Sequence, residues 1–195
     1  MEKKKKIGNI IINIILGIAM IFCIMLIVFK VTFIEVIVNG SSMNPNIQDG
    51  AKGYMIKVNK NSKIARFDVV VSKYYKDDYF IIKRVLGLPG EEIRLEDNIL
   101  YVNNEIVEQS FSFISKQDNF ENTQWTLNEN EYLLVGDNRA NTVEPVVENI
   151  NNILAKNGFS YANYDIHSSK CKSASDYSSC PIESYKWYWF KKGMK

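Results

Sequence analysis

Gly40-Ser41-Ser42-Met43-Asn44-Pro45 is a glycine-led turn that follows an apolar, strand-like run. Such a turn can expose a hydroxyl with free backbone N–H groups beside it. A serine held there is a candidate nucleophile with an oxyanion site at hand, although the same hexapeptide also reads as an ordinary polar turn. A nucleophilic serine needs a base. The single histidine, His167, stands in an irregular C-terminal stretch near two cysteines, so a Ser-His-Asp triad would rest on it alone. Lysine can do the same work where burial disfavours its charged form. Lys83 lies in Phe80-Ile81-Ile82-Lys83-Arg84-Val85-Leu86, where strand alternation puts it on the face of Ile81 and Val85, away from Ile82 and Arg84. The plainer reading of that neighbourhood is a lysine that snorkels to water. A competing dyad, Ser169-Lys170-Cys171-Lys172, has S-x-x-K spacing but lacks the SDN and KTG elements that accompany it in penicillin-binding enzymes.

The elements that must position these residues read as short strands. Runs rich in Val, Ile, Tyr and Phe, separated by turn residues, cover Val31–Val38, Ala51–Val58, Phe67–Ser72, Phe80–Leu86, Glu92–Leu95, Ile99–Val102 and Glu131–Val135. Asn103-Asn104, between Ile99–Val102 and Glu105-Ile106-Val107, reads as a two-residue hairpin turn. The pattern predicts a mostly β, antiparallel domain. The strand rhythm fades over residues 140–180, where Glu144–Lys156 reads as a short helix with Val146, Val147, Ile150, Ile153 and Leu154 on its apolar side.

Ahead of the strands, Ile7–Phe29 is apolar except for Asn9 and Asn13, long enough to cross a hydrocarbon core of about 30 Å as a helix. A cleavable signal peptide has a shorter apolar region and a small-x-small site, which Val28-Phe29-Lys30 does not offer. Lys3, Lys4, Lys5 and Lys6 precede the run and Lys30 alone closely follows it, so the positive-inside rule puts the N-terminus in the cytoplasm and the remainder outside. The expected organisation is a basic tail over residues 1–6, a transmembrane helix over 7–29 and an extracytoplasmic β domain over 30–195. Within that domain, a segment of about 145–183 has no recognisable pattern. The formal charge of +2 hides a split: the first thirty residues hold five lysines and one glutamate, so the rest carries −2. No basic stripe remains there, which argues against nucleic acid as a partner. Cys171 and Cys180 lie close together in the part read as external, where a disulfide is favoured over two thiols or half a zinc site.

Three boxes carry a resemblance to a known family. Ser42-Met43-Asn44-Pro45 resembles the S-M-x-P nucleophile box of type I signal peptidases. Lys83-Arg84-Val85-Leu86-Gly87-Leu88-Pro89-Gly90-Glu91 resembles their K-R-V-x-G-x-P-G-D/E base box, and Gly136-Asp137-Asn138-Arg139 their G-D-N-R box. The boxes stand in the family's order behind an N-terminal anchor. The resemblance implies a membrane-bound serine endopeptidase on a signal-peptidase-type antiparallel β domain, with Ser42 as nucleophile, Lys83 as general base and the Ser42 N–H in the oxyanion hole. It further implies that Thr142 orients the lysine, that Asp137 and Arg139 buttress the site, and that Gly40 stands where some relatives carry a helping serine. It implies no cofactor and no metal. The partners would be exported preproteins, cut after small residues at the first and third positions before the cleavage site, and the lipid bilayer.

The departures are specific. The family continues x-x-S-x-D-S-R after the third box, whereas Ala140-Asn141-Thr142-Val143-Glu144-Pro145-Val146 replaces the arginine by Val146. Arg66-Phe67-Asp68 stands where an R-G-D turn is usual, and Tyr185–Lys191 resembles the family's aromatic closing strand. These departures motivate an alternative reading, an accessory or chaperone for surface-pilus assembly that binds pilin subunits with weak or no proteolysis.

Overall fold

The computed structural model describes residues 2–74, 79–115, 120–121, 123–142, 144–162 and 188–190. The chain divides into two compact units, residues 1–34 and 35–195. The first is built on one helix, α1 (Glu2–Thr32). Its Lys6–Thr32 stretch is long and apolar enough to cross a membrane. The run of Ile, Leu and Met offers no competing side-chain hydrogen bonds and no proline, so helix continues through Thr32. The strand expected from Val31 therefore starts later, at Phe33.

The second unit is antiparallel β. Its strands are β1 (Phe33–Ile37), β2 (Lys52–Lys57), β3 (Val69–Lys73), β4 (Phe80–Gly87), β5 (Glu92–Glu96), β6 (Ile99–Val102), β7 (Glu105–Val107), β8 (Gln124–Thr126), β9 (Glu131–Val135), β10 (Val146–Asn149), β11 (Ile153–Ala162) and β12 (Tyr188–Phe190). One sheet runs β1-β2-β11-β3-β4-β9-β10, with β12 also on β11; the other runs β7-β6-β5-β8. Asn103 and Asn104 both take positive φ in the β6–β7 turn, the conformation a tight hairpin of right-handed twist requires.

Register sorts the central strands by face. Arg84 pairs with Val135 and Val85 with Leu134, so alternation sends Val85 and Leu134 to one side and Arg84 and Val135 to the other. One apolar cluster holds Val70, Val85, Tyr132, Leu134 and Ile153. The other joins Leu86, Leu133 and Val135 of the large sheet, with Phe67 of the turn before β3, to Ile93, Leu95, Leu100 and Val102 of the small one. The central strands are thus buried on both faces, which holds their backbone, and whatever they carry, in fixed register.

The helix expected over Glu144–Lys156 is replaced by β10, a short 3-10 turn at Ile150–Asn152 and β11. Val146 and Val147 pair with Leu134 and Leu133, so β-branched side chains pack on the open edge of β9 where helix would leave it unpaired. Asn149 then caps the turn, its side chain accepting from the Asn151 N–H, and the chain re-enters the sheet. His167, Ser169–Lys172 and the Cys171–Cys180 pair lie outside the described residues. Of the aromatic chain end, Tyr188–Phe190 pairs with Gly158–Ser160.

β11 joins β2, β3 and β12, and it passes β2 closely at Gly158. A β-carbon there would come 2.1 Å from the Tyr54 carbonyl oxygen and 2.8 Å from the Met55 α-carbon. Both are backbone atoms that cannot swing away. Gly158→Ala is therefore expected to cost about 2 kcal/mol, read as a lower denaturant midpoint of the full chain in detergent.

Candidate active site

The turn that carries Ser42 is tied at its base and plugged into the core. Val38 N–H donates to the Ala51 carbonyl at 2.8 Å and Gly50 N–H to the Val38 carbonyl at 2.9 Å, closing the loop that carries Ser42. Gly40, at φ +103°, turns the chain where a side chain would strain, and its N–H donates to Asp49 Oδ1 at 2.8 Å. Met43 and Ile47 are fully buried anchors, and the Ile47 N–H donates back to the Met43 carbonyl. The third box grips the same turn: Asn138 donates from its backbone N–H to the Ser42 carbonyl at 2.9 Å and from Nδ2 to the Ser41 carbonyl at 3.2 Å. Asn141 Nδ2 donates to Ser41 Oγ at 2.5 Å. Among the described residues the Ser42 N–H has no acceptor, which leaves it for a ligand.

Lys83, in the middle of β4, brings its Nζ to 2.7 Å from Ser42 Oγ. Burial pushes its pKa down from 10.5 to about 8, against the opposing pull of the Asp137 charge. The shift decides the chemistry: at pH 7 an ordinary lysine is neutral in roughly one molecule in three thousand, whereas at a pKa of about 8 it is neutral in about a tenth. The same register sets Gly136 opposite Lys83. A β-carbon on Gly136 would lie 2.3 Å from Thr142 Oγ1, 2.5 Å from the Ser42 carbonyl oxygen and 3.4 Å from Lys83 Nζ, so the missing side chain makes room for three site residues. Thr142, expected to orient the lysine, gives its hydroxyl hydrogen to the Asn138 carbonyl at 2.7 Å. It and the Lys83 amine flank the space that a Gly136 side chain would fill.

Beneath the dyad, on the other face of the sheet, Asp137 is buried with Arg84. Arg84 Nε donates to Asp137 Oδ1 at 2.7 Å and Nη2 to Oδ2 at 2.6 Å, a bidentate pair. Arg84 Nη1 reaches the Phe67 carbonyl at 2.8 Å, and the guanidinium lies 4.3 Å over the Phe111 ring. Asn46 Nδ2 supplies Asp137 Oδ2 with a further hydrogen bond at 2.7 Å. Asp137 thus pairs with Arg84 and not with its neighbour in the box. Arg139 instead donates to the Asn98 carbonyl at 3.0 Å and to Gln109 Oε1, over the Phe113 ring. Burial lowers the Arg139 pKa to about 10, with Asp137 opposing and Arg84 assisting, and it stays charged at neutral pH.

Two contributors, Arg84 and Asn46, were given no part in the site by the sequence. Arg84 appeared only as a box member, though a charge between two apolar strand positions is itself a signal of a buried pair. Asn46 gave no signal. Phe67, noted in the sequence only as a departure from R-G-D, takes a left-handed φ of +71°, and its buried ring packs 5.3 Å from that of Phe111. Val146 sits in β10, and Glu144 accepts the Glu121 N–H at 3.1 Å.

A turn-held serine against a desolvated lysine amine, on an antiparallel β scaffold, is the arrangement of a serine hydrolase that works without histidine. The family described as signal peptidase, peptidase S26, matches residues 11–143. The chain belongs to that family and is a serine peptidase. It is 32% identical over 153 residues to signal peptidase I U of Bacillus subtilis (strain 168), covering 74% of this chain and 80% of the relative. Signal peptidase I V of the same organism is 37% identical over 120 residues, 55% of this chain and 71% of that one. The crystal structure of a signal peptidase I from Enterococcus faecalis V583 is similar with a TM-score of 0.36 at 24% identity, covering 47% of this chain and 94% of that one.

Asp137→Asn tests the balance beneath the dyad. Loss of the carboxylate charge takes away what raises the Lys83 pKa, so the lysine should titrate below about 8. The buried Arg84 charge is left unpaired, and unfolding by denaturant should show a loss of about 3 kcal/mol.

Proposed function

We propose that the chain is a membrane-bound signal peptidase that removes signal peptides from exported preproteins by a Ser42–Lys83 dyad. The observation that carries this reading is the 2.7 Å contact between Ser42 Oγ and an amine whose pKa burial has brought to about 8. Neutral Lys83 accepts the Ser42 hydroxyl proton as Oγ attacks the scissile carbonyl. The Ser42 N–H donates to the developing oxyanion. The Lys83 ammonium then gives its proton to the leaving amine, and the new N-terminus of the mature protein departs. A water, deprotonated by Lys83, hydrolyses the Ser42 ester and releases the signal peptide. Gly136 leaves room for the amine and Thr142 ties the third box to itself through the Asn138 carbonyl; Asp137, Arg84 and Asn46 keep the turn and β4 in place. Arg139 ties the third box to the Asn98 turn and to Gln109.

The substrate would bind extended, as an added strand, with small residues at the first and third positions before the cut, the preference that the family resemblance implies. The Lys6–Thr32 stretch would cross the bilayer, with Lys3–Lys6 in the cytoplasm and the β unit outside.

Because only the neutral amine acts as base, kcat/KM for preprotein cleavage in detergent should rise with pH and level off above about 8. Ser42→Ala and Lys83→Ala should each lower it by about a thousandfold or more. Activity that survives both substitutions would rule out the dyad. A native chain that binds pilin subunits and cuts no preprotein would favour the accessory reading instead.

A further inference from the structure

The two asparagines within the apolar run of α1 fall on one line with its cysteine. Asn9, Asn13, Leu16, Met20, Cys23 and Ile27 are spaced by alternating steps of four and three residues, the repeat that keeps one stripe of a helix facing a partner helix. All six are exposed on α1. At about 1.5 Å per residue, Asn9 lies about 4.5 Å and Asn13 about 10.5 Å beyond Lys6. With Lys6 at the headgroups, Asn13 lies within hydrocarbon. A carboxamide there brings two donors and an acceptor into a medium that offers neither.

We propose that two copies of this chain pair in the membrane through α1, in parallel, along the Asn9–Asn13–Leu16–Met20–Cys23–Ile27 stripe. The inference rests on the reading of Lys6–Thr32 as membrane-spanning. Lipid tails cannot satisfy the amides. An identical helix in parallel brings the same amides to the same depth, and each carboxamide is donor and acceptor at once, so the contact is self-complementary about a two-fold axis. Apolar contact gives little association between helices already in lipid, so the amides supply the preference for this stripe. The two β units then lie on the same side of the membrane.

Cys23 is a native reporter on that stripe, free and exposed. The full chain with Cys171→Ser and Cys180→Ser, so that Cys23 holds its remaining thiol, is placed in vesicles of phosphatidylethanolamine and phosphatidylglycerol and treated with copper(II)-phenanthroline, which takes two electrons as two thiols lose their protons and join. The expected product is a disulfide-linked species of twice the chain's mass. It should vanish in Cys23→Ser and fall about threefold or more in Asn9→Leu/Asn13→Leu. Met25→Cys in the Cys23→Ser chain moves the thiol two residues on and about 200° round the helix, and should give no dimer. Absence of the Cys23 dimer, equal linkage from Met25→Cys, persistence after the asparagine substitutions, or linkage only to a protein of another mass would each overturn the pairing. Alkaline extraction of the same vesicles reads the anchor separately: chain lost from the pellet contradicts the membrane-spanning reading, whereas chain retained without linkage contradicts the pairing alone.

Discussion

A lysine can lose its proton near neutral pH only where water is scarce and no uncompensated carboxylate faces it. Here an aspartate does lie near Lys83, and its charge works against the shift that burial produces. Arg84 resolves the conflict by engaging both carboxylate oxygens of Asp137. Asn46 adds a further donor to one of them. With its charge compensated in place, Asp137 can anchor the third box without holding Lys83 fully protonated. The ion pair is itself buried, and a buried pair repays its desolvation only when geometry is good and spare donors are satisfied. Those conditions are met by the Phe67 carbonyl and the Phe111 ring.

The arrangement depends on adjacent residues of one strand pointing oppositely. Lys83 and Arg84 are sequence neighbours, so the amine and the cation that offsets its nearby acid stand on opposite faces of β4. Opposite them, Gly136 makes room for the amine and Asp137 meets the guanidinium. A one-residue slip between β4 and β9 would exchange the two environments. The apolar residues on both faces of these strands fix that register, and the site inherits its precision from the core.

Much of this was legible in sequence because it is local. Alternation marked β2 to β6 and β9, and paired asparagines marked the β6–β7 turn. β8 is only three residues long. β11 contains Ala155-Lys156-Asn157-Gly158, a poor strand sequence that three neighbouring strands hold extended. β10 was read as helix because Val146, Val147 and Ile150 suit either period, and the open edge of β9 decided between them. Ser42, Lys83 and Asp137 were legible through ordered motifs. Asn46 was not, since its part comes from a contact with Asp137, far along the chain, to which no local pattern refers.

The central claim is that burial, moderated by a compensated aspartate, makes Lys83 a base. Its direct measurement is the titration of Lys83 by NMR, in a chain carrying 13C at the lysine Cε, with Lys83→Ala assigning the resonance. The account predicts a midpoint at about pH 8. A midpoint near the ordinary lysine value of 10.5 would contradict it.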